Sequence, residues 1–334
     1  MNAVEGAKRT LDEVLTASHK KIDLPIHNVI DKIILDYTVK VTATAAATIK
    51  YADVMNVIKE VRVVSDGNIV HYNISDLDGV LMNIYDFGET GLIHPDTDIS
   101  LTAATAKEVT FTLQLSRGDI LANTKQSLDI THDLKTAIND NITVNDVKAV
   151  VTISEKIFDS KAEFFSVYAY NMEKRGENVD LAAEPNISVV TKPFDASNEM
   201  RGIYELPAGA NTIRRIFFIS SSTGSSAARA GSEPTKLGVN LNMSRRVKAY
   251  DINWKTLQHL NEADYKLKAV AGVGVIDFGA EFTGDEFGLR GWNFRKGDQT
   301  IGTSAASGGE LRMIIEQYTV NTAVFDAVSA VLEA

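Results

Sequence analysis

Residues 57–87 contain two hydrophobic periods in succession, and this change of period constrains the fold more than any other stretch. Two runs rich in β-branched and aromatic residues flank Asp66-Gly67-Asn68. Such runs around Asp-Gly predict a β-hairpin, because the tight turn needs a positive φ that glycine supplies without strain. Beyond Ser75 the apolar residues recur at helical spacing, and the Ser75 hydroxyl can accept N–H groups of the first turn. The stretch therefore predicts strand, turn, strand and capped helix.

The same pattern occurs again over residues 236–266. Tyr250–Asn253 aligns with Tyr72–Ser75. We call this alignment the repeat register, and without a gap it also aligns the two predicted strands of one hairpin with those of the other. Strand–turn–strand–helix units are common, so one explanation is chance. The other is an internal duplication of a domain of about 150 residues, which is a usual domain size. A repeat of that length indicates paired domains rather than a solenoid.

Length, charge and cysteine content narrow the classes of protein. The 334 residues suffice for two domains, and 44% hydrophobic residues is typical of a folded chain. The formal net charge of −10 argues against a surface that binds phosphates, so no direct nucleic-acid binding is expected. Without cysteine, neither a disulfide nor a thiolate metal site forms. No signal-peptide pattern or run of about 20 apolar residues occurs, so we expect synthesis in the cytosol.

Both ends of the chain are predicted to be helical. Residues 1–27 are predicted to form an amphipathic helix or arm that ends by Pro25, with apolar residues on one face at Val4, Ala7, Leu11, Val14 and Leu15. Such a helix most often docks on its own domain. The alternative is a contact to a neighbouring subunit or to a membrane surface, helped by His19, Lys20 and Lys21. Residues 323–334 are predicted to form a short C-terminal helix.

The remainder of the chain is predicted to be all-β. Roughly sixteen short strands, few helices and frequent turn residues indicate antiparallel β-sandwiches. Strands do not alternate regularly with helices, which argues against a doubly wound nucleotide-binding fold. We predict a first sandwich over residues 28–158 and a second over residues 159–322. Ser220–Pro234 and Gly302–Gly309 are predicted to be loops, since both are rich in small residues.

No constellation of residues predicts catalysis, a cofactor or a metal centre. No nucleophile elbow, phosphate-binding loop or zinc-protease pattern occurs. Asp96-Thr-Asp98 and Gly284-Asp285-Glu286 offer oxygens to Ca²⁺, but loop carboxylates of this kind are usually solvated. Six scattered histidines lack the spacing of metal ligands: His19, His27, His71, His94, His132 and His259. We therefore assign no catalytic, cofactor-binding or metal-binding residue and predict that the protein is not an enzyme.

A few arginines and tryptophans are the remaining candidates for contacts with other molecules. Trp254, near the start of the second helix, is predicted to lie in or near the core, which leaves Trp292 as a platform for a sugar. Five arginines suit either an interface with carboxylates or a solvated face: Arg201, Arg214, Arg215, Arg245 and Arg246.

The modules together resemble a known family, the double jelly-roll major capsid proteins of tailless icosahedral bacteriophages with an internal membrane. In the first half the resemblance rests on Ile58–Tyr85 (IKEVRVVSDGNIVHYNISDLDGVLMNIY). In the second half it rests on Val239–Tyr265, on Ala271–Gly279 (AGVGVIDFG) and on Leu311–Val320 (LRMIIEQYTV). The amphipathic pattern of Ala3–Lys20 also suits the family, whose N-terminal helices face the interior.

The resemblance implies both a fold and a function. The fold would be two tandem eight-stranded jelly-roll β-sandwiches, with short helices and an N-terminal amphipathic helix. The protein would be a major capsid protein whose homotrimers form pseudo-hexagonal capsomers and tile an icosahedral virion around a lipid membrane. Its partners would be neighbouring capsid trimers, penton and minor capsid proteins, and the membrane through the N-terminal helix. It would be made in the host bacterial cytoplasm and located in the virion.

Two other classes of function remain as alternatives. A carbohydrate-binding β-sandwich, such as a fibre or adhesin module, would need an exposed aromatic platform, for which Trp292 is the candidate. A β-sandwich hydrolase would need a nucleophile and a base in contact, and the sequence shows no such pair.

Overall fold

The computed structural model describes most of the chain. The described residues are 4–88, 94–158, 160, 162–166, 183–206, 212–222, 229, 232–242, 247–278, 292–293, 300–320 and 324. The chain divides into two compact units, one formed by Met1–Ile187 with Val320–Ala334 and the other by Ser188–Thr319.

Among its described residues the first unit contains the strands β1–β11, the helices α1 and α2, and a further helical turn over residues 162–166. Its elements are β1 (Val4–Thr16), β2 (Lys21–Asp23), β3 (Val29–Ala43), β4 (Ala47–Lys50), α1 (Tyr51–Met55), β5 (Ile58–Ser65), β6 (Ile69–Ile74), α2 (Asp76–Phe87), β7 (Asp98–Leu101), β8 (Ala106–Leu115), a 3-10 helix (Ala122–Thr124), β9 (Leu128–Leu134), β10 (Ala137–Asn139) and β11 (Ile142–Ile157).

Eight of these strands make two layers of four, and the short strand β10 pairs with β11 beside one of them. One sheet has the order β1-β11-β3-β8 and the other β6-β5-β9-β2. Neighbouring strands are antiparallel throughout both sheets. Along β3 every second side chain from Ile33 to Ala43 is buried, as expected for a strand with one face on the core. The hydrophobic core of this unit lies between the two sheets, with Leu35, Val39 and Val63 fully buried.

The described residues of the second unit include a second set of strands and a twelve-residue helix. Its elements are β12 (Ala183–Phe194, of which the second unit holds the part from Ser188), β13 (Ser197–Glu205), β14 (Thr212–Ser221), β15 (Lys236–Asn242), β16 (Val247–Asn253), α3 (Trp254–Tyr265), β17 (Val273–Asp277), β18 (Trp292–Asn293), β19 (Thr300–Ala305) and β20 (Gly309–Val320). One sheet has the order β17-β14-β20-β12, and the other has the order β13-β19-β15-β16.

The two units share one topology, strand by strand. Eight strands of the first unit have an equivalent at the same sheet position in the second unit, in the same chain order. The first set is β1, β2, β3, β5, β6, β8, β9 and β11, and the second set is β12, β13, β14, β15, β16, β17, β19 and β20. Eight antiparallel strands in two packed sheets with this order form a jelly roll. The all-β double jelly roll predicted from the sequence is therefore confirmed.

The duplicated module matches without a gap. In the repeat register α2 (Asp76–Phe87) superimposes on α3 (Trp254–Tyr265), and the N-cap Ser75 superimposes on the N-cap Asn253. The turn of the first hairpin has Asp66 and Gly67 at φ of 51° and 74°, as a type I′ turn requires. Ser75 and Asp78 form a reciprocal capping box, in which Ser75 Oγ accepts from Asp78 N at 3.2 Å.

The predicted N-terminal amphipathic helix is wrong. Residues Val4–Thr16 form β1, which pairs antiparallel with β11. Two register shifts, between Val4 and Ala7 and between Thr10 and Val14, interrupt the two-residue alternation of the strand. The apolar residues consequently recur every three or four positions, which imitates a helix. Residues 1–27 are thus not a separate arm, because β1 and β2 belong to the sheets of the first unit.

Two smaller predictions need comment. Gly302–Gly309 is not a loop over its whole length, since β19 continues to Ala305 and β20 begins at Gly309. Gly302 lies where a Cβ would come within 3.1 Å of the Arg201 carbonyl oxygen, so glycine is needed for close approach of β13. The predicted C-terminal helix, 323–334, lies outside the described residues except for Val324.

Candidate assembly surface

The loop carboxylates that could offer oxygens to Ca²⁺ belong to two segments, and the structure describes the first, Asp96-Thr-Asp98. Lys50 Nζ donates to Asp98 Oδ1 at 2.9 Å and to the Asp96 carbonyl oxygen at 3.0 Å. The ammonium group of Lys50 thus already binds both the Asp98 carboxylate and the Asp96 carbonyl oxygen. Gly284-Asp285-Glu286 lies outside the described residues. Among the residues that the structure describes, no group of three or more histidine, aspartate or glutamate side chains is placed to hold a metal ion.

Ser65 and His71 form a pair that resembles a nucleophile and its base. Ser65 Oγ lies 2.9 Å from His71 Nε2, and His71 Nδ1 lies 3.3 Å from the Pro185 carbonyl oxygen. Because a carbonyl oxygen only accepts, Nδ1 carries the proton and Nε2 accepts from the serine. Both side chains are 0% exposed, and burial lowers the pKa of His71. A substrate has no access to this pair, which instead fastens the β5–β6 hairpin to the start of β12.

The start of β12 is held in the first unit by further polar contacts. Lys125 Nζ donates to Glu184 Oε2 at 2.6 Å, and Leu121 N donates to Glu184 Oε1 at 3.1 Å. Ile187 is the parallel partner of Tyr72 on β6. The segment Ala183–Ile187 therefore covers the outer edge of β6, where Tyr72 is only 2% exposed.

The second unit contains a buried ion pair that the sequence did not predict. Arg215 on β14 donates to Glu316 Oε2 on β20 from Nε at 2.9 Å and lies 2.7 Å from it through Nη2. Glu316 is 0% exposed and also accepts from Tyr318 Oη at 3.0 Å. The nearby carboxylates keep the pKa of Arg215 above its ordinary value despite burial. Arg215 is therefore not part of a solvated face, as one interpretation of the sequence had it.

A groove of about 490 Å³ runs beside α3 in the second unit. Leu257 and Leu260 of α3 and Tyr250 of β16 line it, and Leu260 is 48% exposed. Carboxylates of Asp264 and Asp277 also line it. The groove is thus lined by apolar and polar groups alike, and of its two carboxylates that of Asp277 already accepts from Tyr265 Oη at 3.0 Å. The sequence predicted the helix and the strand but gave no signal that a groove would lie beside them.

Polar side chains attach α3 to the sheet at this groove. Asn261 Nδ2 donates to the Val275 carbonyl oxygen, and Asn261 Oδ1 accepts from Val275 N, both at 2.8 Å. Gln258 Nε2 donates to the Val273 carbonyl oxygen at 3.1 Å. These side chains form hydrogen bonds with backbone groups of β17, the terminal strand of its sheet. The hydrogen bonds hold α3 against β17 on one side of the groove.

The equivalent helices differ in how much of their surface is buried. Ten of the twelve residues of α2 are buried, whereas four of the twelve residues of α3 are. The predicted core position of Trp254 is confirmed, since this side chain is 1% exposed. Trp254 therefore offers no platform for a sugar, and the side chain of Trp292 lies outside what the structure describes. In the described part of the chain no helix is long and apolar enough to cross a membrane.

Comparisons with known proteins give matches by structure alone. No protein-family model and no curated protein sequence matches the chain. A crystal structure of the STIV MCP matches with a TM-score of 0.78 and 18% identity, covering 95% of this chain and 98% of that chain. The atomic structure of Sulfolobus Turreted Icosahedral Virus matches with a TM-score of 0.78 and 15% identity, covering 99% and 96%.

A third match links the fold to a bacteriophage. The major capsid protein P2 from bacteriophage PM2 has a TM-score of 0.55 and 13% identity, covering 94% of this chain and 97% of that chain. The coverage is nearly complete in all three comparisons, so the likeness includes both jelly rolls. This chain has the double jelly-roll fold of viral major capsid proteins.

Proposed function

We propose that the protein is a major capsid protein whose homotrimers tile an icosahedral virion. The observation that supports this most is the strand-by-strand duplication within one chain. Three copies of a chain with two equivalent sandwiches present six similar units around one axis, which gives a pseudo-hexagonal outline. Closed cyclic assemblies of identical chains are the common form of oligomer. The named matches are themselves viral capsid proteins, and their fold is the same.

The chemistry of the described residues fits a structural role. The closest approach to a catalytic arrangement, Ser65 with His71, is sealed in the core. Arg215 and Glu316 form an ion pair in the interior, and this pair links the neighbouring strands β14 and β20. We accordingly assign the protein to the non-enzymatic class. Its stability comes from packing and assembly, since no cysteine is present to form a disulfide.

The proposal includes the partners of such a subunit. These are neighbouring trimers, penton and minor capsid proteins, and a lipid membrane enclosed by the shell. The protein would be made in the cytoplasm of a bacterial host before it enters the virion. Contact with the membrane through an N-terminal helix is not part of the proposal, because that segment is β1.

The mass of the purified protein in solution tests the proposal. Sedimentation equilibrium of the full chain should give three times the 36.4 kDa chain mass, and electron micrographs should show particles with hexagonal outlines. A chain that stays monomeric at high concentration would contradict it. Binding on a glycan array that disappears in a Trp292→Ala variant would favour the carbohydrate-binding alternative instead.

A further inference from the structure

The terminal strands of the two units suggest how one copy of the chain meets the next. In the first unit β6 ends its sheet, and the start of β12 lies along it through the pair Ile187 and Tyr72. The duplication maps β6 onto β16 and β12 onto β1. Both β16 and β1 are terminal strands in the sheet orders of the described chain. The equivalents of the two strands that meet at this junction, β16 for β6 and β1 for β12, therefore each lie at the end of a sheet.

We propose that β1 of one copy lies along β16 of a second copy and repeats the junction that β6 makes with β12. This inference rests on the proposed trimer and names its contact. The contact is heterologous, because it joins two different surfaces of identical chains, and heterologous contacts close into rings when the rotation allows. An added strand would satisfy backbone groups along the terminal strand, as in recognition by β-strand addition.

The groove beside α3 is the place where the second copy would sit. Tyr250, which lines it, is the equivalent of Tyr72 in the repeat register. Tyr72 is 2% exposed, with Ile187 of β12 paired beside it and with its Oη accepting from Arg117 N at 2.9 Å. Tyr250 is partly exposed and packs edge-on against Phe278, with ring centroids 5.9 Å apart. A strand along β16 would give Tyr250 a paired neighbour, as Ile187 is for Tyr72.

Charge favours the stretch Ala7–Thr10 as the part of β1 that faces the groove. The groove presents the carboxylate of Asp264, since that of Asp277 already accepts from Tyr265 Oη. In β1, Lys8 and Arg9 lie side by side in the stretch Ala7–Thr10, which has no acidic residue and is flanked by Glu5, Asp12 and Glu13. Lys8 is exposed, and Arg9 is 53% exposed even though it lies 3.4 Å from Glu155. Opposite charges at the two surfaces would select this pairing over contacts between two copies of the same strand.

Disulfide trapping tests the contact directly, because the natural chain has no cysteine. Ala7→Cys, Lys8→Cys and Arg9→Cys on β1 would each be co-expressed with an affinity-tagged Asp251→Cys chain, Asp251 being on β16. The tag separates mixed dimers from dimers of one variant on a gel. After oxidation, at least one of the three β1 positions should give the mixed dimer as its main product. Lys148→Cys on β11, 59% exposed, is the matched control and should give none.

The possible results distinguish this contact from the proposed function. Trimers that form by sedimentation but give no mixed dimer at any β1 position would overturn the contact and leave the capsid proposal standing. Dimers of a single β1 variant with itself would show a symmetric contact and would also overturn it. A protein that stays monomeric would overturn both proposals at once.

Discussion

Gly79 of α2 lies against Leu113 of β8 with no space for a side chain between helix and strand. In the equivalent contact of the second unit, the helix supplies the leucine and the strand supplies the glycine. Leu257 stands at the position of Gly79, and it packs on Gly274 of β17, where a Cβ would lie 3.0 Å from Leu257 Cδ2. Each unit thus fits its helix to its sheet with one large and one absent side chain, and this complementarity can be tested in either half.

We expect Gly79→Ala to destabilise the protein by about 1–3 kcal/mol, because the added methyl group overpacks the contact with Leu113. The free energy of unfolding in urea measures the effect. The double variant Gly79→Ala, Leu113→Ala should lose less than the sum of the two single losses, since the smaller partner makes room. Additive losses would show that the two residues do not share this contact.

Asp76→Asn should stabilise the protein at neutral pH. Asp76 is 0% exposed, and neither of its carboxylate oxygens has a hydrogen-bond partner in the structure. Burial, and to a lesser degree the carboxylate of Asp78, raise the pKa of Asp76 well above its ordinary value. An amide of the same shape carries no charge to bury, so we expect a gain of about 1–3 kcal/mol.

The pH dependence gives a second measurement for Asp76. Its folded form retains a proton that the unfolded chain has already released, so stability falls as pH rises from the unfolded pKa of about 3.9 towards the folded pKa. The variant should lack this slope. The facing titratable groups are Asp78 on α2 and Tyr37 on β3. Asp78→Ala is the control: it removes the bond to Ser75 N at 3.0 Å and should destabilise.

Arg215→Met should cost about 3–5 kcal/mol, because it leaves the carboxylate of Glu316 buried without its cation. Replacing both residues, as Arg215→Met with Glu316→Leu, should recover most of that loss. Thermal or urea unfolding measures both. Lys236→Met provides the matched control, since Lys236 lies 3.6 Å from Asp251 in a partly exposed pair. That change should alter stability by about 0–1 kcal/mol, and an equal loss in both variants would contradict the prediction.

Gly67→Val should destabilise the first hairpin by about 1–2 kcal/mol, because a β-branched residue is strained at a φ of 74°. No atom lies within 4 Å of a Cβ added at Gly67, so the cost is conformational and not steric. Gly67→Asn, which tolerates the left-handed region, should be nearly neutral. An unchanged midpoint of thermal unfolding for Gly67→Val would refute the role of this turn.

The repeated module could be predicted from the sequence because local signals determine it. Turn residues at Asp66-Gly67, the cap at Ser75 and a change of hydrophobic period all lie in the single stretch 57–87. The repeat register then followed from matching side chains. β1 could not be predicted, because its two bulges hide the alternation and its identity as a strand depends on β11, which is distant in the sequence.

The interior ion pair and the groove depend on long-range structure in the same way. Arg215 and Glu316 each interrupt an apolar run, at Thr212–Ser221 and Leu311–Val320. Two opposite charges in such runs are a signal for a buried pair, although the sequence does not say that the strands are neighbours. The groove beside α3 has no local signal, since its lining comes from a helix and two strands that meet only in the folded unit.

The exchange of glycine and leucine between the two helix–sheet contacts has a consequence for the history of the chain. If the halves descend from one ancestral gene segment, their cores have since acquired substitutions independently, each compensated by a partner within its own sandwich. Residue-level likeness between the halves survives in the strand before each helix, where Tyr72 and Ile74 match Tyr250 and Ile252, and has eroded where two neighbours could change together.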